Sequence, residues 1–204
     1  MLFGDTYNMI ASPVEAELKD KGSSFLAFAY SIKNEEEAKQ FIANLKRVHF
    51  GANHHCYAFV LGFDGAIQKS NDDREPSNTA GKPILRGILA KQLTNTLVVV
   101  VRYFGGKLLG VPGLIQAYGG AATQALDKAT IVQKIITEKH ELVFDYATEN
   151  EAFRLIKQYG LKVLSHIHSE KITLIFEVRK TDAEKVINAI KNNHLFETTF
   201  ISEQ

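Results

Sequence analysis

Tryptophan is absent from these 204 residues, methionine occurs twice, proline four times and cysteine once. A lone cysteine, Cys56, excludes an intramolecular disulfide and fits a reducing, cytoplasmic compartment. No run approaches the ~18 uninterrupted apolar residues that a membrane-spanning helix needs. The start, MLFGDTYNMI, lacks the basic region and apolar run of a signal peptide. Walker A and G-x-G-x-x-G spacings are missing, as are H-x-x-x-H and C-x-x-C, so the chain offers no standard nucleotide loop or zinc motif. Acid is missing too, but locally: no Asp or Glu stands between Pro76 and Leu126.

That last absence matters because the total charge is nearly balanced, at +1. Within the acid-free stretch lie Lys82, Arg86, Lys91, Arg102 and Lys107, and Asp72, Asp73 and Glu75 sit just upstream. Past residue 134 the two signs nearly cancel. The middle of the chain is either a modest anion-binding surface or a set of solvated cations.

What is present reads as two units, 1–134 and 135–204, of α+β class. In the second unit "HELVFDY" alternates as a strand, and "TENEAFRLIKQYG" opens with the capping-box pair Thr148 and Glu151. "KVLSHIHSE" and "KITLIFEVR" alternate again. "TDAEKVINAIKNN" repeats the capping logic at Thr181 and Glu184, and "LFETTFIS" closes. The order β-α-β-β-α-β is the ferredoxin-like split unit.

The first unit is mixed α/β. Strands are expected near 7–11, 14–19 and 24–32, then a helix over 34–48 with Ala38, Phe41, Ile42, Leu45 and Val48 on one stripe. "HHCYAFVLGF" and "GAIQKS" form strands around Asp64-Gly65, a hairpin dipeptide. A polar loop leads to a helix over "ILRGILAKQ". "TNTLVVVVRYF" reads as a strand buried on both faces. A helix follows over 112–128, and "ATIVQKII" is a further strand.

The stretch "RYFGGKLLGVPGLIQAYGGAATQAL" (102–126) is dense in small residues. Gly113, Ala117, Ala121 and Ala125, spaced by four, make a smooth ridge for close helix packing. Gly105, Gly106 and Gly110 lie in the preceding loop, where glycine allows positive φ and close backbone approach. Such a loop before a helix can hold an anion through backbone N–H groups. Arg102, at the end of a buried run, needs a partner: Asp72, Asp73 or Glu75 within the protein, or a ligand's phosphate or carboxylate. His54 and Cys56 share one face of a strand and His55 the other, too few ligands for a metal. Cys56 reads as an inert core thiol, and His166 and His168 as surface residues. Glu75 has the chemistry of a general base without a companion acid.

"DDREPSNTAGKPIL" (72–85) together with "VVVVRYFGGKLLGVPGLIQAYGGA" (98–121), and "HHCYAF" upstream, resembles the YigZ/IMPACT family in its bacterial two-domain form. Family members usually carry glycine where Arg74 and Asn78 stand, and Gly-Gly where Pro112-Gly113 stands. The resemblance implies a left-handed β-α-β first domain, shared with a ribosomal protein and the GHMP kinases. It implies a second domain similar to the last domain of elongation factor G. Eukaryotic members of the family regulate translation initiation. The expectation is a non-catalytic, cytoplasmic RNA- or ribosome-binding protein that regulates translation, with protein partners there and no metal, cofactor or membrane. Its phosphate contacts would be Lys82, Arg86, Arg102, Lys107, Ser77, Thr79 and the Gly105-Gly106 loop, with stacking on the open face of the ferredoxin-like sheet. Two alternatives stand beside it: an enzyme holding a small phosphorylated or carboxylated ligand between 74–83 and 102–107, and a protein-binding regulator without nucleic acid.

Overall fold

A computed structural model describes residues 5–203. The chain divides into two compact units: residues 7–134, and residues 135–204 joined by 1–6.

In the first unit five strands form one sheet in the order β2-β3-β6-β4-β5: β2 (Val14–Asp20), β3 (Ser23–Ser31), β4 (His54–Leu61), β5 (Ile67–Asn71) and β6 (Thr96–Tyr103). β6 is antiparallel to both β3 and β4, so those two run parallel with β6 between them. Helix α1 (Glu35–Val48) connects β3 to β4, and α2 (Gly81–Ala90) and α3 (Gly110–Lys128) flank β6 in sequence. The short strands β1 (Thr6–Ile10) and β7 (Ile131–Ile135) pair as a separate ribbon.

The unbroken apolar run of β6 follows from its central place. Leu97, Val99 and Val101 pack with Ala38, Ile42 and Leu45 of α1. Val98 and Val100 pack with Ile84 and Ile88 of α2 and with Ala117, Ala121 and Ala125 of α3. Both faces of β6 are dry, so alternation would place polar groups in a core. The alanines of the α3 ridge make that contact, whereas Gly113, its expected first member, is half-buried and lies against Leu109 of its own helix start, where a Cβ would come 2.9 Å from Leu109 Cβ. Asn34 caps α1 by accepting from Glu37 N–H at 2.9 Å. Val48 ends the expected stripe but is exposed, because the helix stops at that residue.

The second unit is the ferredoxin-like arrangement: β8 (Thr137–Phe144), α4 (Glu149–Gln158), β9 (Lys162–His168), β10 (Ile172–Arg179), α5 (Lys180–Lys191) and β11 (Glu197–Glu203). Its sheet order is β11-β8-β10-β9, with antiparallel neighbours throughout. Leu142, Phe144, Ile172, Leu174, Phe176 and Val178 face Ala152, Ile156, Ala183, Val186 and Ile190 of the helices.

Neither expected capping box forms. Thr148 precedes α4, but its hydroxyl donates to Asp145 O at 2.8 Å and caps nothing. α5 begins one residue before Thr181, whose hydroxyl donates to Asp5 Oδ2 at 2.9 Å. A carboxylate is the stronger acceptor, and Asp5 also takes the Arg179 guanidinium. The open face of this sheet carries Val143 and Glu141 on β8 and Thr173, Ile175 and Glu177 on β10. The two phenylalanines of these strands, Phe144 and Phe176, point into the core, so these two central strands offer no stacking platform on that face.

Candidate functional site

Register places His54 opposite Arg102 where β4 begins and β6 ends. The loop 72–80 folds over this end of the sheet, and Asp72 holds it there. Asp72 Oδ1 accepts from Ala80 N–H (3.0 Å) and Gly81 N–H (2.8 Å), and Oδ2 from Asn78 N–H (2.8 Å). These are otherwise unpaired donors at the start of α2, and a carboxylate there also suits the helix dipole. The loop has a strained backbone: Asp73, Arg74 and Asn78 have φ of 39°, 73° and 66°. Arg74 and Asn78 thus occupy left-handed positions, a conformation that costs glycine least.

Under the loop lies a buried polar network. Glu75 Oε1 accepts from Arg102 Nη1 at 2.5 Å and from the Tyr118 hydroxyl at 2.7 Å. His54 Nε2 is 3.7 Å from the same oxygen. Arg102 is 5% exposed and its guanidinium sits between the Phe25 and Phe104 rings, 5.4 and 5.5 Å from their centroids. Arg102 Nε has no hydrogen-bond partner among the described residues. Of the partners the sequence allowed for Arg102, Glu75 is the one the fold supplies. Cys56 donates its thiol to Asp72 O at 3.0 Å. Burial pushes the Cys56 thiol and the Tyr118 phenol well above their usual ranges, which keeps both protonated. His55, on the other face, donates its backbone N–H to Asp73 Oδ2 at 2.7 Å, and burial pulls its imidazole below the usual range. Tyr118 escaped sequence reasoning: it sits among the alanines of α3. The available signal was that a buried phenol must find a polar partner.

The glycine pair divides its labour. A Cβ on Gly105 would lie 1.9 Å from Gly22 C, so the 104–109 loop rests directly on the β2–β3 turn. Gly106 faces open space but has φ of +83°. Gly105 N–H donates to Ser23 Oγ at 3.1 Å and Phe104 N–H to Asn53 Oδ1 at 2.8 Å, so two amides of the loop already have partners. Thr79 is buried and donates to Pro76 O at 2.6 Å, whereas Ser77 is exposed.

Lys82 and Arg86 stand one helical turn apart on the exposed side of α2. With Ser70, Asn78, Leu85 and Leu89 they line a groove of about 400 Å³ between α2 and the edge strand β5. Among the described residues neither cation has a carboxylate partner. Lys107 is exposed in the glycine loop, between Phe104 and Leu108, which are 44% and 86% exposed. The eight residues singled out from the sequence thus separate: Lys82 and Arg86 share an open groove, Lys107 and Gly106 lie on an exposed loop, Ser77 is on the surface, and Arg102, Gly105 and Thr79 are committed to internal partners.

The Impact N-terminal domain family matches residues 21–126, and the family described as Domain of unknown function (DUF1949) matches residues 142–193. The chain is 34% identical to IMPACT family member YvyE of Bacillus subtilis over 87% of this chain and 83% of that protein. It is 38% identical to IMPACT family member YigZ of Escherichia coli over 76% and 77%. A solved structure described as a crystal structure of an hypothetical protein superposes with a TM-score of 0.71 at 28% identity, covering 97% of this chain and 98% of that one.

Proposed function

The chain belongs to the IMPACT family, and from that premise we propose that it is a cytoplasmic regulator of translation that binds RNA on the ribosome. The α2 groove carries this reading. It presents two cations one turn apart that have no carboxylate partner among the described residues, beside two hydrogen-bonding side chains and an apolar floor, in a stretch without acid. Lys82 and Arg86 take phosphate oxygens, Ser70 and Asn78 take phosphate or ribose oxygens, and Leu85 and Leu89 meet the apolar edges of sugar or base. Contacts of this kind position a strand without reading its sequence. Lys107 adds a phosphate contact, and the exposed Phe104 ring is a stacking surface of the kind that the two central strands of the second unit's sheet lack.

The translational part of the reading follows the eukaryotic members of the family. The reading assigns no catalytic step. Cys56 and Tyr118 stay protonated, and Glu75 Oε1 already accepts from Arg102 and Tyr118.

Co-sedimentation with ribosomes tests it. The wild-type protein pellets with ribosomes at low salt, and Lys82→Glu/Arg86→Glu stays in the supernatant while its circular dichroism is unchanged. Equal pelleting of the two proteins, or no pelleting of the wild type, refutes the reading.

A further inference from the structure

The second unit carries a side-chain cluster that RNA binding does not use. His166 and His168 lie two residues apart on β9, an edge strand, so both project from one face. It is the helix-covered face, since their register partners Leu174 and Ile172 point into the core. At the margin of that core both imidazoles meet Glu149, the first residue of α4. Glu149 Oε1 is 3.8 Å from Nε2 of His166 and 3.8 Å from Nε2 of His168. The donor atoms of all three residues lie within 4.8 Å of one another. The two imidazole centroids are 4.1 Å apart.

Aromatic neighbours hold both rings. Phe153 meets His166 edge-on at 5.4 Å, and Tyr146 stacks on His168 at 6.0 Å. The Tyr146 hydroxyl is fixed in turn by donation to Ser169 O at 2.7 Å. A cation shared by both rings and the carboxylate satisfies all three groups at once.

Two imidazoles and a carboxylate are the donor set of borderline divalent ions, not of Mg²⁺ or Ca²⁺, which prefer all-oxygen shells. Zinc bonds to nitrogen and oxygen run at about 2.0–2.2 Å, so the donors around a tetrahedral centre are about 3.4 Å apart. The two 3.8 Å separations lie within about 0.4 Å of that value. We propose that Glu149, His166 and His168 bind a divalent transition-metal ion of the Zn²⁺ type, with the fourth position open to water. The side chains of the two histidines are 31% and 52% exposed and that of Glu149 37%, which leaves the ion a path in.

Calorimetric titration of the full chain with Zn²⁺, with Mg²⁺ as the control cation, tests the proposal. One equivalent of Zn²⁺ binds saturably and Mg²⁺ does not bind at this site. His166→Ala and His168→Ala each weaken Zn²⁺ binding by about tenfold or more, in line with what disturbing a metal's ligand environment costs. Co²⁺ gives visible ligand-field bands that the His166→Ala/His168→Ala double variant loses. All three positions are at the surface, so circular dichroism shows the variants folded. Absence of saturable Zn²⁺ binding, or unchanged stoichiometry and affinity in the double variant, overturns the site. No nucleic acid is present in the titration, so its failure leaves the α2 groove untouched.

Discussion

Glu75 and Arg102 are 27 residues apart in sequence and share a hydrogen bond with both side chains almost fully buried. A buried pair of this kind contributes little net stability over an apolar pair, but breaking it leaves an isolated charge in a dry site. Arg102→Ala therefore destabilises the protein by about 3–5 kcal/mol, read as a lowered urea midpoint. Arg102→Met/Glu75→Gln regains at least half of that loss, because the neutral amide still accepts from Tyr118 and no charge is orphaned. If the double variant is as unstable as the single one, the pair is not what Arg102 contributes. Cys56 is the milder case. Its thiol is buried, protonated and hydrogen-bonded to Asp72 O. Only the thiolate reacts with disulfide reagents, so native protein at pH 8 labels far more slowly than protein in denaturant. Rapid native labelling would place the thiol in a reactive setting.

At the scale of the element, the glycine loop shows that two adjacent glycines are required for unrelated reasons. A methyl group on Gly105 collides with the backbone of Gly22, and neither strand end can withdraw without breaking the β3–β6 ladder. A methyl on Gly106 meets nothing, and the cost is only the left-handed conformation, about 1–2 kcal/mol. Gly105→Ala is accordingly the more damaging substitution, and Gly106→Ala lowers the denaturation midpoint modestly. Equal midpoints for the two variants would contradict this packing of the loop on the β2–β3 turn. The α2 helix depends on its approach loop in the same local way, with Asp72 supplying the acceptors that its first turn lacks. That anchoring sets where Lys82 and Arg86 emerge.

At the scale of the whole molecule, a net charge of +1 gives no long-range attraction to nucleic acid. RNA affinity must come from the few local cations, and each phosphate they neutralise releases counterions. The log of ribosome or RNA affinity therefore falls with log salt, with a slope of about −0.7 per phosphate contacted on a single strand. Removing Lys82 and Arg86 together flattens that slope by about 1.4. A slope unchanged by the double substitution would move the electrostatic contact away from α2.

The sequence alone determined the elements and the class of each unit. The doubly buried β6, the alanine ridge of α3 and the β-α-β-β-α-β order are periodic signals, written within a few residues of one another. It also marked the acid-free stretch and the glycines at the loop. It misjudged two helix caps, Thr148 and Thr181, because hydroxyl partners are chosen by competition, and Asp145 O and the distant Asp5 carboxylate won. Only the tertiary structure decided which polar groups meet. Glu75 takes Arg102 from 27 residues away and Tyr118 from 43, while His54 closes in from the opposite strand. Lys82 and Arg86 were left in an open groove while Arg102 was drawn inside. Locally, only the apolar run that ends at Arg102 sets it apart from the other two. What separates them is position: Arg102 faces the interior between two helices, where an unpaired charge is not tolerated, and the α2 pair faces water, where it is.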